Sequence, residues 1–337
     1  MGRPNNALSV YMNQSDRIGS VLEYYMEEKL PEDWSCEEIR GQYSVWESGQ
    51  SAEGARSDCD GRYPDQNGGG RLSFRQRDYL GKAHAWGTDF LLGIENQQKI
   101  NLIFPWRLME LDYLTYRQKI EENQAENERR KVRYDRDDDF LYRYRKEDRV
   151  ELVLNLVLYW GKEKWETPLT LREMAGDVSK LPDKLLRLAG DYKTNVIHMR
   201  KIPEDAINRM DSDLKYVLGM MKHADSPEAC SRYIQENRDY FSRIPRSAFD
   251  VIDACVNVRG IRKELQFTAN QETREEEADM CKALVGIERN AERRGKQEGI
   301  QQVCALMKRL LAEGRQEEIM KAAEDDTYLQ KLLLECN

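Results

Sequence analysis

The sequence predicts an α/β fold that turns helical toward its C-terminus. Three observations carry this expectation: two strand-like segments joined by a turn between Leu72 and Gln98, the apolar run VELVLNLVLYWG at 150–161, and helical periodicity through nearly everything beyond Lys201. With 337 residues the chain is long enough to bury a substantial core, as one large domain with an accessory region or as two domains. The boundaries drawn from pattern are a core over 10–200, a helical region over 201–290, and C-terminal helices over 291–337.

Taken in order, Ser15 to Glu28 places Ile18, Val21, Leu22 and Tyr25 at helical spacing, so one amphipathic helix opens the fold, with Ser15 or Asp16 as its cap. Residues 48–70 are rich in Gly, Ser, Asp and Asn without periodicity and read as an exposed loop; the glycines at 68–70 lack the trailing Gly-Lys-Ser/Thr of a phosphate loop. In LSFRQRDYL the pattern alternates and DFLLGIE is apolar, which gives two strands with a turn near Gly87 and Thr88. Along the second strand Phe90, Leu92 and Ile94 share one face, and Leu91, Gly93, Glu95 and Gln97 share the other. Pro105 then starts a helix in PWRLMELDYLTYRQKI with Leu108, Leu111 and Tyr116 facing inward. A run as apolar as 150–161 implies a strand covered on both faces, central in a mixed or parallel sheet, and NVIHM at 195–199 is a further short strand. In the last segment Ile300, Val303, Cys304, Met307, Leu310 and Leu311 form a stripe that Gly314 ends, and Tyr328, Leu329, Leu332 and Leu333 form another. Such stripes either pack on the body of the chain or pair with a second subunit, a homo-oligomer through the C-terminal helices.

The chain has 34% charged residues and a mean hydropathy of −0.82, with no apolar run near the roughly 20 residues of a spanning helix, so no membrane segment is expected. Its N-terminus lacks a secretory pattern, and a cytoplasmic location is expected. Seven cysteines without a CxxC pair and three scattered histidines suggest neither a disulfide framework nor a zinc site. A net charge of −8 argues against coating nucleic acid by bulk electrostatics, although a local positive rim would suffice for a DNA-cleaving enzyme.

One constellation can carry chemistry. Asp78 on the first strand and Glu95 on the second would bring two carboxylates together with Gln97 if they face each other across an antiparallel pair. Mg²⁺ suits such a set, because it takes oxygen ligands and is held by one or two carboxylates with waters and phosphate oxygens completing its shell. Taken alone, an Asp and an ExQ among 61 acidic residues are also explained as surface polarity.

The arrangement D78…E95-N96-Q97, followed by FPWRLMELDYLTYR, by FLYRYRKEDRVELVLNLVLYWGKEKWETPLTLREM and by LPDKLLRLAGDYKTNVIHMRKI, resembles the recombination-promoting nuclease (Rpn) family of transposase-like proteins, within the PD-(D/E)xK nuclease superfamily. The likeness runs over most of the chain from about residue 71. It implies a restriction-endonuclease-like mixed sheet flanked by helices and Mg²⁺-dependent cleavage of DNA phosphodiesters. Asp78 and Glu95 would be metal ligands, the Asn96 backbone carbonyl a third, and Gln97 would stand where the superfamily usually has Lys.

That last exchange matters physically, since Lys brings a full charge and an amide only hydrogen bonds. Glu23 is the nearest candidate for an opening-helix acid, and its alternative is a solvated residue. Arg107 either meets a phosphate through its fork or pairs with Glu110 on the surface. Arg129, Arg130, Lys131, Arg133, Arg143, Arg145 and Lys146, interleaved with tyrosines, form either a DNA rim or a solvated linker broken by acidic residues. Two functions therefore stand side by side: a Mg²⁺-dependent DNA endonuclease, or a nuclease-fold module for binding or assembly with little or no turnover.

Overall fold

The five-stranded sheet at the centre of the fold is built from segments that the apolar pattern marks and from one that it does not. In the computed structural model residues 3–39, 42–46, 72–134, 141–256, 258–270 and 275–335 are described, so the expected loop at 48–70 lies outside the described residues. Helices α1 (Arg3–Tyr11) and α2 (Ser15–Met26) open the chain. The first of these was not expected. Gln14 occupies the cap position of α2 and makes no side-chain cap bond, so neither Ser15 nor Asp16 plays that part.

Strand β1 (Ser35–Glu38) pairs with β4 (Tyr79–Ala85), β4 with β5 (Thr88–Gln97), and β5 with β6 (Val153–Tyr159) and through it β7 (Val196–His198), in the order β1-β4-β5-β6-β7. The first three run antiparallel and the last two join in parallel, a mixed sheet. The segment read as one first strand is two: β3 (Leu72–Gln76) pairs instead with β2 (Gln42–Trp46), and the chain breaks at Arg77 and Asp78 before β4 begins. At the break the Asp78 and Asn96 peptide N–H groups donate to the Glu95 and Asp78 carboxylates instead of to ladder carbonyls.

Trp86 and Gly87 form the two-residue turn between β4 and β5, both at positive φ (50° and 67°), as the tight hairpins that match strand twist require. The Asp33 carboxylate accepts the Trp86 and Gly87 peptide N–H groups at 3.2 and 2.8 Å and ties the turn down. Helix α3 (Phe104–Arg129), with Pro105 in its first turn, runs on well past the expected end near Ile120. It lies on one sheet face, where Leu114 packs with Leu80, Leu91 and Val153, and where Phe104 and Leu108 pack with Val157. As a strand with partners on both sides, β5 is buried on both faces from Phe90 to Asn96. Its register is fixed by what each face must meet, because a one-residue slip would exchange Phe90, Leu92 and Ile94 with Leu91, Gly93 and Glu95.

The chain divides into two units, one of residues 1–233 with 247–257 and one of 234–246 with 258–337. The first holds the five-stranded sheet, together with α4 (Leu214–Lys222), whose Leu214, Val217 and Leu218 are buried. In the second, a small sheet of β8 (Ile244–Pro245), β9 (Thr268–Ala269) and β10 (Glu276–Ala278) sits where only helices were expected. Helix α5 (Met280–Ala312) follows, then α6 (Gln316–Glu324) and α7 (Asp326–Glu335), with Gly314 at φ 73° ending the long helix as expected. Leu306 and Leu310 pack with Ala322 and Leu332, so part of the predicted stripe is internal, whereas Ile300 and Leu311 remain exposed.

Candidate active site

The pairing of β4 with β5 sets Tyr79 opposite Ile94 and Leu80 opposite Gly93. Carried one residue outward, that register brings Asp78 opposite Glu95, on the sheet face that α3 covers. The two carboxylates also hold each other's backbone: the Asp78 peptide N–H donates to Glu95 Oε1 at 3.3 Å, and the Asn96 peptide N–H donates to Asp78 Oδ2 at 2.8 Å. The structure therefore brings Asp78 and Glu95 together. Asp78 stands just ahead of its strand rather than within it.

Glu95 is withdrawn from water and Asp78 partly so. Glu95 is fully buried, and burial raises its carboxyl above the usual range, opposed by the charges of Arg107 and Arg77. Asp78 is pushed from 3.8 to about 7, first by burial and then by the neighbouring Glu95. Two acids so placed resist ionising together, and a cation is what would let them do so. Arg107, in the first turn of α3, supplies one: its Nη2 donates to Glu95 Oε2 at 3.1 Å, and about a third of its side chain is open to solvent.

Arg77 supplies the second charge, and sequence reasoning missed it. Its Nη1 donates to Asn155 Oδ1 at 2.6 Å and its Nη2 to Asp112 Oδ1, while Asn155 Nδ2 donates to both Asp112 oxygens. Burial raises the Asp112 carboxyl, and Arg77 and Asn155 oppose that rise. The guanidinium lies across Gly93: a Cβ there would come within 2.4 Å of Arg77 Nη1 and 2.6 Å of Asn155 Oδ1. Gly93, the only residue type without a Cβ, is the signal in the sequence that something crosses this face. The three polar partners sit on separate elements, and nothing in the spacing of 77, 112 and 155 announces them.

Asn96 points to the opposite face, wholly buried, and its Oδ1 accepts from Trp160 Nε1 at 3.0 Å. The Gln97 carbonyl accepts the Trp160 peptide N–H at 2.8 Å. These two bonds lock the end of β5 to the end of β6. Gln97, last in β5 and two residues beyond Glu95, follows it on the same face and is partly open.

Other candidates go elsewhere. Glu23 accepts from Lys29 Nζ at 3.0 Å and from the Leu30 peptide N–H at 3.1 Å, closing the end of α2. Four members of the basic run have acidic partners nearby in the chain: Arg129 and Arg130 pair with Glu126, Arg143 with Glu128, and Arg145 with Asp148.

Among the described residues, no group of three or more His, Cys, Asp or Glu side chains is placed to hold a metal ion. Two carboxylates are what the site offers. Among the same residues, no helix is long and apolar enough to cross a membrane. Comparison of the chain with protein-family models, with curated proteins and with solved structures finds no match.

Proposed function

We propose that the chain is a Mg²⁺-dependent DNA endonuclease of the recombination-promoting type. The observation that supports this most is the pair Asp78 and Glu95, the first partly and the second fully buried, facing each other at one end of a central hairpin and followed by Asn96 and Gln97. A helix, three antiparallel strands of one sheet, a second helix and a parallel strand surround it in chain order, as a restriction-endonuclease-like core would have them.

The donor set fits Mg²⁺. It is all oxygen, it comprises two carboxylates, of which Asp78 is raised to about 7 first by burial and then by Glu95, and a divalent ion is ordinarily held by one or two such groups. Asp78 and Glu95 would hold it, with the Asn96 backbone carbonyl as a third oxygen. A bound Mg²⁺ lowers the pKa of its water and offsets charge that builds on a phosphate. The chain's own residues then divide the remaining work. Gln97 orients the attacking water through its amide. Arg77, fixed by Asp112 and Asn155, places positive charge near Glu95 and opposes the rise that burial gives its carboxyl. Arg107 is about a third open to solvent, and its fork can turn from Glu95 to a phosphate oxygen once the carboxylate has another cation.

Purified protein is expected to nick supercoiled plasmid DNA with Mg²⁺ and to lose that activity with EDTA. Glu95→Ala should reduce nicking by at least about 100-fold, the scale on which removal of a transition-state contact acts, with the fold checked by circular dichroism. Nicking that is unchanged in Glu95→Ala removes Glu95 from the reaction.

A second reading, a nuclease-fold module that binds or assembles without turnover, is favoured by one observation: Arg107 already satisfies Glu95 Oε2, and Gln97 brings no charge of its own. DNA retention without cleavage, equal in wild type and Glu95→Ala, would select it.

A further inference from the structure

The outer face of α3 is apolar, which its position does not explain. A helix that covers a sheet needs one apolar stripe, and α3 spends Phe104, Leu108, Leu111 and Thr115 on that side. On the opposite side Trp106, Met109, Tyr113 and Ile120 are exposed, from 37% for Met109 to 60% for Tyr113, and Leu102 and Ile103 are exposed just ahead of the helix. From Trp106 the spacing is three, four and seven, the heptad interval by which one helix meets another, while Tyr116 turns inward onto Leu114 and Val153. The stripe runs about 21 Å from Trp106 to Ile120, at 1.5 Å per residue. Beyond it the chain covers this face itself, because Gln124 Nε2 donates to the Tyr142 carbonyl and Asn123 Nδ2 to the Arg149 carbonyl. The open part therefore stops where the molecule's own cover starts.

We infer that this face pairs with the same face of a second copy of the chain, antiparallel, about an axis near Tyr113. Charge selects the partner. Glu110 and Arg117 flank the stripe on one side, seven residues apart and evenly placed about that axis. In an antiparallel pair the flank of one helix meets the same flank of the other, so Glu110 of each copy approaches Arg117 of its mate, twice by symmetry. Arg117 now pairs with Glu121 at 2.8 Å in an exposed contact, which is readily exchanged. A surface of anionic lipid or nucleic acid would meet Glu110 and Glu121 at this edge and be repelled. The surface is separate from the exposed Ile300 and Leu311 of the C-terminal helices and does not depend on the nuclease reading.

Sedimentation equilibrium of the full chain tests this. Wild type is expected to be a dimer, and Tyr113→Glu, at a position 60% exposed, a monomer whose circular dichroism and melting are those of wild type. Glu110→Arg and Arg117→Glu should each weaken the dimer by about tenfold or more, and the two together should restore it, since a charge swap across a symmetric pair returns opposite signs to contact. A wild-type monomer at about 100 μM chain, the regime of weak association, overturns the inference. So does a dimer that survives Tyr113→Glu, or one broken only by Ile300→Glu or Leu311→Glu. Failure of the double swap to restore what the single swaps remove overturns the antiparallel register.

Discussion

Asp78 concentrates the electrostatics of the site in one side chain. Its carboxyl is raised from 3.8 to about 7, so between these values the folded chain keeps a proton that the unfolded chain has released. Stability must then fall as pH climbs through that window, because the folded state binds more protons than the unfolded one. Glu95 is raised by burial in the same direction. In metal-free buffer Asp78→Asn is therefore expected to melt higher than wild type at pH 8 and close to wild type at pH 4; an equal effect at both values would show that Asp78 is not the proton-binding group. A second residue-level expectation concerns Gly93. Arg77 is held in place by its bonds to Asp112 and Asn155, so Gly93→Ala should cost about 1–3 kcal/mol in urea unfolding, the usual range for overpacking. A neutral outcome would mean that Arg77 yields. Strand alternation made Glu95 and Gln97 legible as a pair on one face, and the hairpin spacing made Asp78 their neighbour. Arg77, Asp112 and Asn155 were illegible because three distant elements have to assemble before any one of them has a partner.

Among the elements, the hairpin β4–β5 delivers the acids, and its turn is held by Asp33 from outside it. Trp86 occupies a left-handed position at φ 50° in that turn, half-exposed, where Asn is the better residue before Gly87. Trp86→Asn should stabilise the chain by about 1 kcal/mol, the cost of a side chain in this conformation; a loss in thermal melting would reveal a packing role for the indole. The central strand β6 and helix α3 were readable from apolar run length and Pro105. The continuation of α3 to Arg129 was hidden, because 121–129 carries no apolar stripe and is held through Asn123, Gln124 and Asn127 to the 142–149 segment. The break at Arg77 and Asp78 was hidden for a related reason. Alternation in LSFRQRDYL continues across it, and only the side-chain contacts show that the ladder changes partner.

At the scale of the molecule, two units share one chain, and the second takes in residues 234–246 from the middle of the sequence. No local pattern shows that excursion, just as none showed the small sheet of β8, β9 and β10, whose strands are two or three residues long. Its C-terminal cluster of Leu306, Leu310, Ala322 and Leu332 is internal to that unit. Leu310→Ala should cost about 2–4 kcal/mol there, seen in calorimetric melting, and should leave Mg²⁺ affinity as in wild type; altered affinity would tie the site to the helical unit. Under the proposed function Asp78 and Glu95 act as one ligand set for a divalent ion. Calorimetric titration of Mg²⁺ into the full chain at pH 8 measures this directly. One ion per chain in wild type, and none in Asp78→Asn or in Glu95→Gln while both remain folded, is the predicted result; binding that persists unchanged in either variant would contradict it.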